Sequence, residues 1–205
     1  MEGSSSYYAL ATLLIVVIFT SAMNSCSATR AISASKTSID FIRTSCGTTT
    51  YPKLCYTSLS IHASAIQTSP KLLANTALSV SLSKARDTST MLSKLSKSYG
   101  LKPREVSAMR DCVEEMNDSI EELHKSIEEM GQEGGSNFGL QMNDIQTWVS
   151  AALTDEDTCV DGFAGKVMNG NVKTTVRSHI VNVAQLTSNA LALINSYASI
   201  QATSP

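Results

Sequence analysis

The 205-residue chain has only four prolines, and only 5% of its residues are aromatic. It is instead rich in Ala, Ser, Leu and Met, a composition that favours helices over a β-sandwich. With 42% hydrophobic and 17% charged residues, it has enough apolar material for the core of one globular domain. The composition therefore predicts an all-α domain.

Positive charge is not in excess either. The 16 Lys and Arg residues are matched by 18 Asp and Glu residues, which gives a formal net charge of −2 and a pI near 5.9. Domains that bind nucleic acid usually carry a basic patch or a high pI. We therefore do not expect a nucleic acid partner.

Catalytic and metal-binding motifs are missing. The histidines, His62, His124 and His179, lie in no nucleophile or zinc motif, and no GxSxG, HExxH or CxxC occurs. An alternative is a metal face of His124 with Glu121 and Glu128, but a histidine among acids on an exposed helix is more often simply solvated. We therefore predict that the chain is not an enzyme and uses no cofactor or metal.

The first 28 residues have the features of a secretory signal. An apolar run from Tyr7 to Phe19 precedes small residues, with cleavage expected after Ala22 or Ala28. The run is shorter than the ~20 residues that span a bilayer, which disfavours a membrane anchor. The sequence predicts a signal peptide over 1–28, a mature domain over 29–205, and secretion without membrane attachment after cleavage.

Cleavage after Ala28 leaves four cysteines, Cys46, Cys55, Cys112 and Cys159. An even number in a secreted chain predicts disulfides, and four cysteines allow three connectivities. Proximity favours Cys46 with Cys55, which leaves Cys112 with Cys159, but the sequence alone does not choose.

Two short helices are predicted at the start of the mature chain. Residues 35–44 carry Ile39 and Ile42 on one side, and a second apolar pattern runs from Pro52 to Ile66. Together they form a helical hairpin over 35–68, closed by a disulfide if Cys46 pairs with Cys55. So small a hairpin buries little by itself and should dock on the main body or on a partner chain.

Four long helices are predicted over 70–200. They span Pro70 to Gly100, Pro103 to Met130, Asp144 to Phe163, and the residues that follow Gly170. Their apolar residues recur in steps of three and four, which is typical of a bundle. In the second of them, this predicted core track consists of Val106, Met109, Val113, Met116, Ile120, Leu123, Ile127 and Met130. Short connections then give an antiparallel up-and-down four-helix bundle.

The third of these segments combines an apolar stripe with acids and hydroxyls. Thr154 and Asp157 are spaced like a capping box, so the helix is expected to pause at Leu153 and restart. Thr158 and Asp161 would then share one face. That face is the first candidate for function.

Other features have simpler interpretations. The acids of the second long helix are interpreted as its solvated face: Glu114, Glu115, Asp118, Glu121, Glu122, Glu128 and Glu129. Its methionines, Met109, Met116 and Met130, suit a core, although a secreted bundle that carries a small apolar ligand is an alternative. Asn117-Asp118-Ser119 is a glycosylation sequon.

Several short motifs follow one another along the mature chain, and their order and spacing together are specific. They are Tyr51-Pro52-Lys53-Leu54-Cys55, Ala108-Met109-Arg110-Asp111-Cys112, Thr147-Trp148-Val149-Ser150-Ala151-Ala152-Leu153, Thr158-Cys159 with Asp161-Gly162-Phe163, and Ser188-Asn189-Ala190-Leu191-Ala192-Leu193. With these motifs the chain resembles the plant invertase and pectin methylesterase inhibitor family.

The resemblance implies a four-helix bundle preceded by a helical hairpin, with disulfides joining the first cysteine to the second and the third to the fourth. It implies an inhibitor of a cell-wall enzyme, secreted to the apoplast. Such an inhibitor acts through a noncovalent one-to-one complex that covers the active-site cleft, without a cofactor.

The resemblance also bears on the partner. The invertase branch has a Pro-Lys-Phe motif in its C-terminal half, whereas this chain has no proline between Pro103 and Pro205. In the esterase branch, contacts come from the threonine before the fourth cysteine and the acid two residues after it, which match Thr158 and Asp161. The resemblance therefore favours pectin methylesterase over acid invertase, with Asp155 and Thr154 as further contacts.

Overall fold

A computed structural model describes residues 35–132, 137–164 and 170–203. These residues form helices and connecting turns, and no β-strand occurs among them. The helices are α1 (35–46), α2 (Pro52–Leu59), α3 (Ala63–Ile66), α4 (Pro70–Leu95), α5 (Pro103–Gly131), α6 (Phe138–Gly162) and α7 (Asn171–Ala202), with a 3₁₀ turn at Ser60–His62 between α2 and α3. The predicted all-α class is confirmed. The predicted signal peptide, 1–28, lies outside the described residues.

Prolines mark the starts of α4 and α5, as the sequence predicts. Proline is tolerated in the first turn because an N–H there has no partner within the helix. Before Pro70, the hydroxyl of Ser69 accepts a 3.3 Å bond from the Leu72 amide. Before Pro103, the Lys102 amide donates to Glu105 Oε2 at 2.8 Å. These caps fix where the two helices begin.

The four long helices run antiparallel. Lys71 Nζ at the start of α4 donates to the carbonyl of Gln132, just past the end of α5, at 3.1 Å. At the same end of the bundle, the ring of Phe138 at the start of α6 meets Tyr197 near the end of α7 edge-on, with centroids 5.7 Å apart. At the opposite end, Arg177 near the start of α7 donates to the Val160 carbonyl of α6 at 3.1 Å. The predicted up-and-down bundle is therefore confirmed.

The core stripe of α5 differs slightly from the predicted track. Met109, Met116 and Met130 are at most 2% exposed, as predicted, and they pack in the hydrophobic core. Ser119 and Ser126, however, are fully buried, whereas the track residues Val113, Ile120 and Ile127 are only partly buried. The buried face thus includes Cys112, which is 2% exposed and bonded to Cys159 of α6.

The N-terminal hairpin docks on the bundle through Asn189 of α7. The Tyr51 amide donates to Asn189 Oδ1 at 3.0 Å, and Asn189 Nδ2 donates back to the Tyr51 carbonyl at 3.1 Å. Asn189 is only 2% exposed, and Ile42, Leu59 and Ile66 are buried in the shared core. The hairpin thus packs on its own bundle, one of the two expected arrangements.

Some expected helix boundaries are wrong. α6 does not pause at Leu153 but runs unbroken from Phe138 to Gly162. Thr154 does not cap a new helix, because its hydroxyl donates to the Ser150 carbonyl one turn earlier at 3.0 Å. α4 ends at Leu95 rather than near Gly100, which follows in a turn with φ of 86°.

Of the helices described, none is long and apolar enough to cross a membrane.

Candidate functional site

A disulfide joins α5 to α6 and underlies a groove between them. Cys112 is bonded to Cys159, with Cα atoms 4.6 Å apart, and Cys46 is bonded to Cys55 in the hairpin, at 5.5 Å. This is the pairing that the resemblance implies. The groove has a volume of about 330 Å³ and is lined by Arg104, Ser107, Ala108, Asp111, Cys112 and Glu115 of α5 and by Thr158, Cys159 and Gly162 of α6.

Three of the four predicted contact residues form one exposed line on α6. Thr154, Thr158 and Asp161 are exposed. Because α6 is continuous, their spacing of four and then three residues keeps them on one face. Asp155 is partly buried and lies close to the carboxylates of α5. Of these four residues, Thr158 lines the groove itself, Thr154 and Asp161 continue its face of α6, and Asp155 lies close to the groove-lining Glu115.

The threonine hydroxyls of this line are fixed by the helix itself. Thr154 Oγ1 donates to the Ser150 carbonyl at 3.0 Å, and Thr158 Oγ1 donates to the Thr154 carbonyl at 2.8 Å. Each hydroxyl proton is therefore in use, while the oxygen keeps its capacity to accept. The line offers acceptors to donor groups of a partner.

Carboxylates from both helices meet along this seam. Burial, followed by the charge of Asp155, raises the pKa of Glu122 to about 7. Burial, followed by the charges of Asp155 and Asp118, also raises the pKa of Glu115. The pKa of Asp155 is raised by burial first and by Asp118 second. We call Glu115, Asp118, Glu122 and Asp155 the acidic seam. Where these groups are ionised, their carboxylates repel one another, and a cationic partner would relieve that repulsion.

Residues 40–193, about three quarters of the chain, match the family described as plant invertase/pectin methylesterase inhibitor. The chain belongs to this family. It is a family of inhibitor proteins, which are not enzymes.

Named relatives support the pectin methylesterase side of the family. Pectinesterase inhibitor 11 of Arabidopsis thaliana is 46% identical over 192 residues, which cover 91% of this chain and 95% of the relative. A 21 kDa protein of Daucus carota is 47% identical over 161 residues, which cover 77% and 83% of the two chains. A crystal structure of a mutant pectin methylesterase inhibitor from Arabidopsis aligns with a TM-score of 0.60 at 25% identity, covering 73% of this chain and 92% of that one.

The α5 acids of the acidic seam are not among the contact residues that the sequence predicts. Their sequence pattern indicates a solvated face of α5, whereas Glu115 and Glu122 are partly buried and lie close to Asp155 of α6. Their positions carry a usable signal, because Glu115, Asp118 and Glu122 are spaced by three and then four residues and so share a face. What the sequence lacked was the partner helix that this face meets.

Glu156 differs from the acids around it. It is fully buried, and its Oε1 accepts bonds from Ser119 of α5 at 2.8 Å and Thr187 of α7 at 2.9 Å. Burial raises its pKa to about 8, against the opposing effect of these two hydroxyls. Glu156 therefore belongs to the core of this inhibitor-family bundle and not to its displayed surface.

The metal face considered for His124 is not assembled. His124 Nδ1 lies 3.7 Å from Glu128, while Glu121 pairs instead with Lys125 at 2.7 Å. Within residues 35–132, 137–164 and 170–203, no three His, Cys, Asp or Glu side chains are grouped so that they could hold a metal ion.

Proposed function

We propose that this protein is a secreted inhibitor of pectin methylesterase. It binds the enzyme noncovalently, one to one, and covers the active-site cleft with the line Thr154, Thr158 and Asp161 and the acidic seam beside it. The observation that carries the proposal is the groove over the Cys112–Cys159 disulfide, which Thr158 of α6 lines together with Asp111 and Glu115 of α5. The named pectinesterase inhibitors among the relatives support this choice of enzyme.

Charge explains why such a surface fits this enzyme. Pectin is a polyanion, so a cleft that binds it must present cationic or hydrogen-bond-donating groups. The acidic seam places negative charge where pectin would place its own, and the two threonine oxygens accept from neighbouring donors. Complementary charges of this kind raise the association rate and the selectivity of the complex.

Rigidity explains why α6 presents this surface well. The contact line lies on an unbroken helix of 25 residues, held to α5 by a disulfide. The threonine side chains are already fixed by bonds to their own helix. Little conformational entropy is therefore lost when a partner binds, and preorganisation of this kind improves affinity.

The test is an inhibition assay of the mature protein against a plant pectin methylesterase and an acid invertase, side by side at mildly acidic pH. Thr158→Ala and Asp161→Ala should each weaken esterase inhibition. The matched controls are Thr57→Ala, an exposed threonine of α2 that also donates to the carbonyl four residues before it, and Asp87→Ala, an exposed acid of α4. Both controls should inhibit like the unchanged protein.

The assay separates the alternatives. Inhibition of invertase alone would overturn the choice of enzyme, and inhibition of neither enzyme would overturn the inhibitor proposal in this form. Light scattering of the purified complex measures its stoichiometry, and any ratio other than one to one would contradict that part of the proposal.

A further inference from the structure

We propose that Asn117 carries an N-linked glycan on the α4 side of α5, where it leaves the acidic seam uncovered. The inference rests on the secretion that is part of the proposed function, because the glycan donor is a lipid-diphosphate-linked oligosaccharide of the secretory pathway. In the transfer, Asn117 Nδ2 loses a hydrogen and bonds to the first sugar carbon. The bond from that carbon to the lipid diphosphate breaks, and the diphosphate leaves with the proton.

The structure places Asn117 suitably for such an attachment. It is exposed near the middle of α5, and Ser89 of α4 donates to its Oδ1 at 3.0 Å. The amide oxygen is therefore directed at α4, and Nδ2 occupies the other position of the amide. A sugar on Nδ2 would lie over the surface between α4 and α5 without entering the core.

The acidic seam lies on a different side of the same helix. At ~100° per residue, Asp118 is about 100° around the α5 axis from Asn117, Glu122 about 140°, and Glu115 about 160°. The α4 contact of Asn117 and the α6 contacts of the seam are consistent with this separation. A glycan at Asn117 would cover one flank of α5 and leave the other free.

The third residue of the sequon sets when the glycan is added. Ser119 is fully buried, and its hydroxyl donates to Glu156 Oε1 at 2.8 Å. In the folded bundle this hydroxyl cannot be reached by a transferase, although the sequon requires it. Attachment must therefore precede the packing of α5 against α6, so only the nascent or unfolded chain is a substrate. Ser119 would therefore first act as the sequon residue that the transferase requires and then, after folding, donate to Glu156 in the core.

The first test uses translation of the full chain in the presence of endoplasmic reticulum microsomes. Protection from added protease reports translocation, and a shift in gel mobility removed by an N-glycosidase reports the glycan. We expect one shift, which Asn117→Gln abolishes and Ser119→Thr retains. A protected chain without a shift would overturn the glycan and leave secretion standing. An unprotected chain would overturn the secretion on which the inference rests.

The second test asks which face the glycan occupies. The purified glycoprotein and Asn117→Gln should inhibit pectin methylesterase equally. The double substitution Glu115→Asn with Asn117→Thr moves the sequon by two residues onto the acidic seam. Its glycan should weaken inhibition by about tenfold or more, and enzymatic removal of the sugar from the same sample should largely restore it. A native glycan that blocks inhibition, or a moved glycan that does not, would overturn this placement.

Discussion

The hydroxyl of Ser119 on α5 donates a 2.8 Å hydrogen bond to Oε1 of Glu156 on α6, at the centre of the bundle. Thr187 of α7 donates to the same oxygen at 2.9 Å, so one carboxyl group connects three helices. The other oxygen, Oε2, is buried and accepts no hydrogen bond within the described part of the chain. A buried carboxylate with one unsatisfied oxygen is costly, whereas the protonated acid avoids the cost of burying a charge.

This arrangement predicts that the protein is more stable in acid. Burial raises the pKa of Glu156 to about 8 from a model-peptide value of 4.5. The folded form therefore holds the proton more tightly than the unfolded form. The resulting stability is fully present below pH 4.5, the unfolded pKa, and is lost as pH rises to about 8. The raised pKa of Glu122, about 7, acts in the same direction.

Thermal unfolding at pH 5 and at pH 8 measures this effect. We expect the Tm to fall by several degrees between the two pH values. Glu156→Gln, which mimics the protonated side chain, should flatten the dependence and be more stable than the unchanged protein at pH 8. Asp87→Asn, at an exposed acid of α4, is the control and should keep the full dependence. Equal Tm values at both pH values for the unchanged protein would contradict this account of Glu156.

Ser119→Ala tests the hydrogen bond itself. The substitution removes one donor from Glu156 and should lower the free energy of unfolding by about 1 kcal/mol at pH 5. The control is Ser126→Ala, another buried serine of α5, whose hydroxyl donates only to the Glu122 carbonyl of its own helix at 2.8 Å. Its effect should be smaller. Urea titration measures both free energies. Protein produced in bacteria is used because its Asn117 sequon is not glycosylated. Equal losses would show that the bond between helices contributes little.

The sequence predicted the helices well because their signals are local. Pro70 and Pro103 mark helix starts, and the apolar spacing of α5 and α7 shows which faces are buried. It gives no sign that Glu156, which lies in an acidic run, is buried, because its partners Ser119 and Thr187 are 37 and 31 residues away along the chain. Likewise, the α5 acids become a seam only when α6 lies beside them. The burial of Glu156 and the assembly of the acidic seam both depend on contacts between helices. The periodicity of a single helical segment does not reveal such contacts.

Asn189 is predicted to hold the hairpin on the bundle. Its side chain makes both an accepting and a donating bond to the backbone of Tyr51, at 3.0 and 3.1 Å. Asn189→Ala should lower the free energy of unfolding by roughly 2 to 3 kcal/mol, because both backbone groups lose their partner. Faster hydrogen exchange of the Tyr51 amide would localise the loss. Asn195→Ala, at an exposed residue bonded to Gln146 at 2.8 Å, should cost much less.

The acidic seam is predicted to act mainly on the rate of association. Glu115→Gln removes one charge from the seam and should slow binding to pectin methylesterase a few-fold at low salt, with little change in the dissociation rate. Asp87→Asn removes the same charge from the exposed face of α4 and should leave the rate unchanged. The difference should shrink as salt is raised, because the Debye length falls to about 8 Å at 0.15 M ionic strength. Stopped-flow or surface-binding kinetics over a salt series measures both variants. Equal association rates for the two at low salt would show that the enzyme does not approach along the seam.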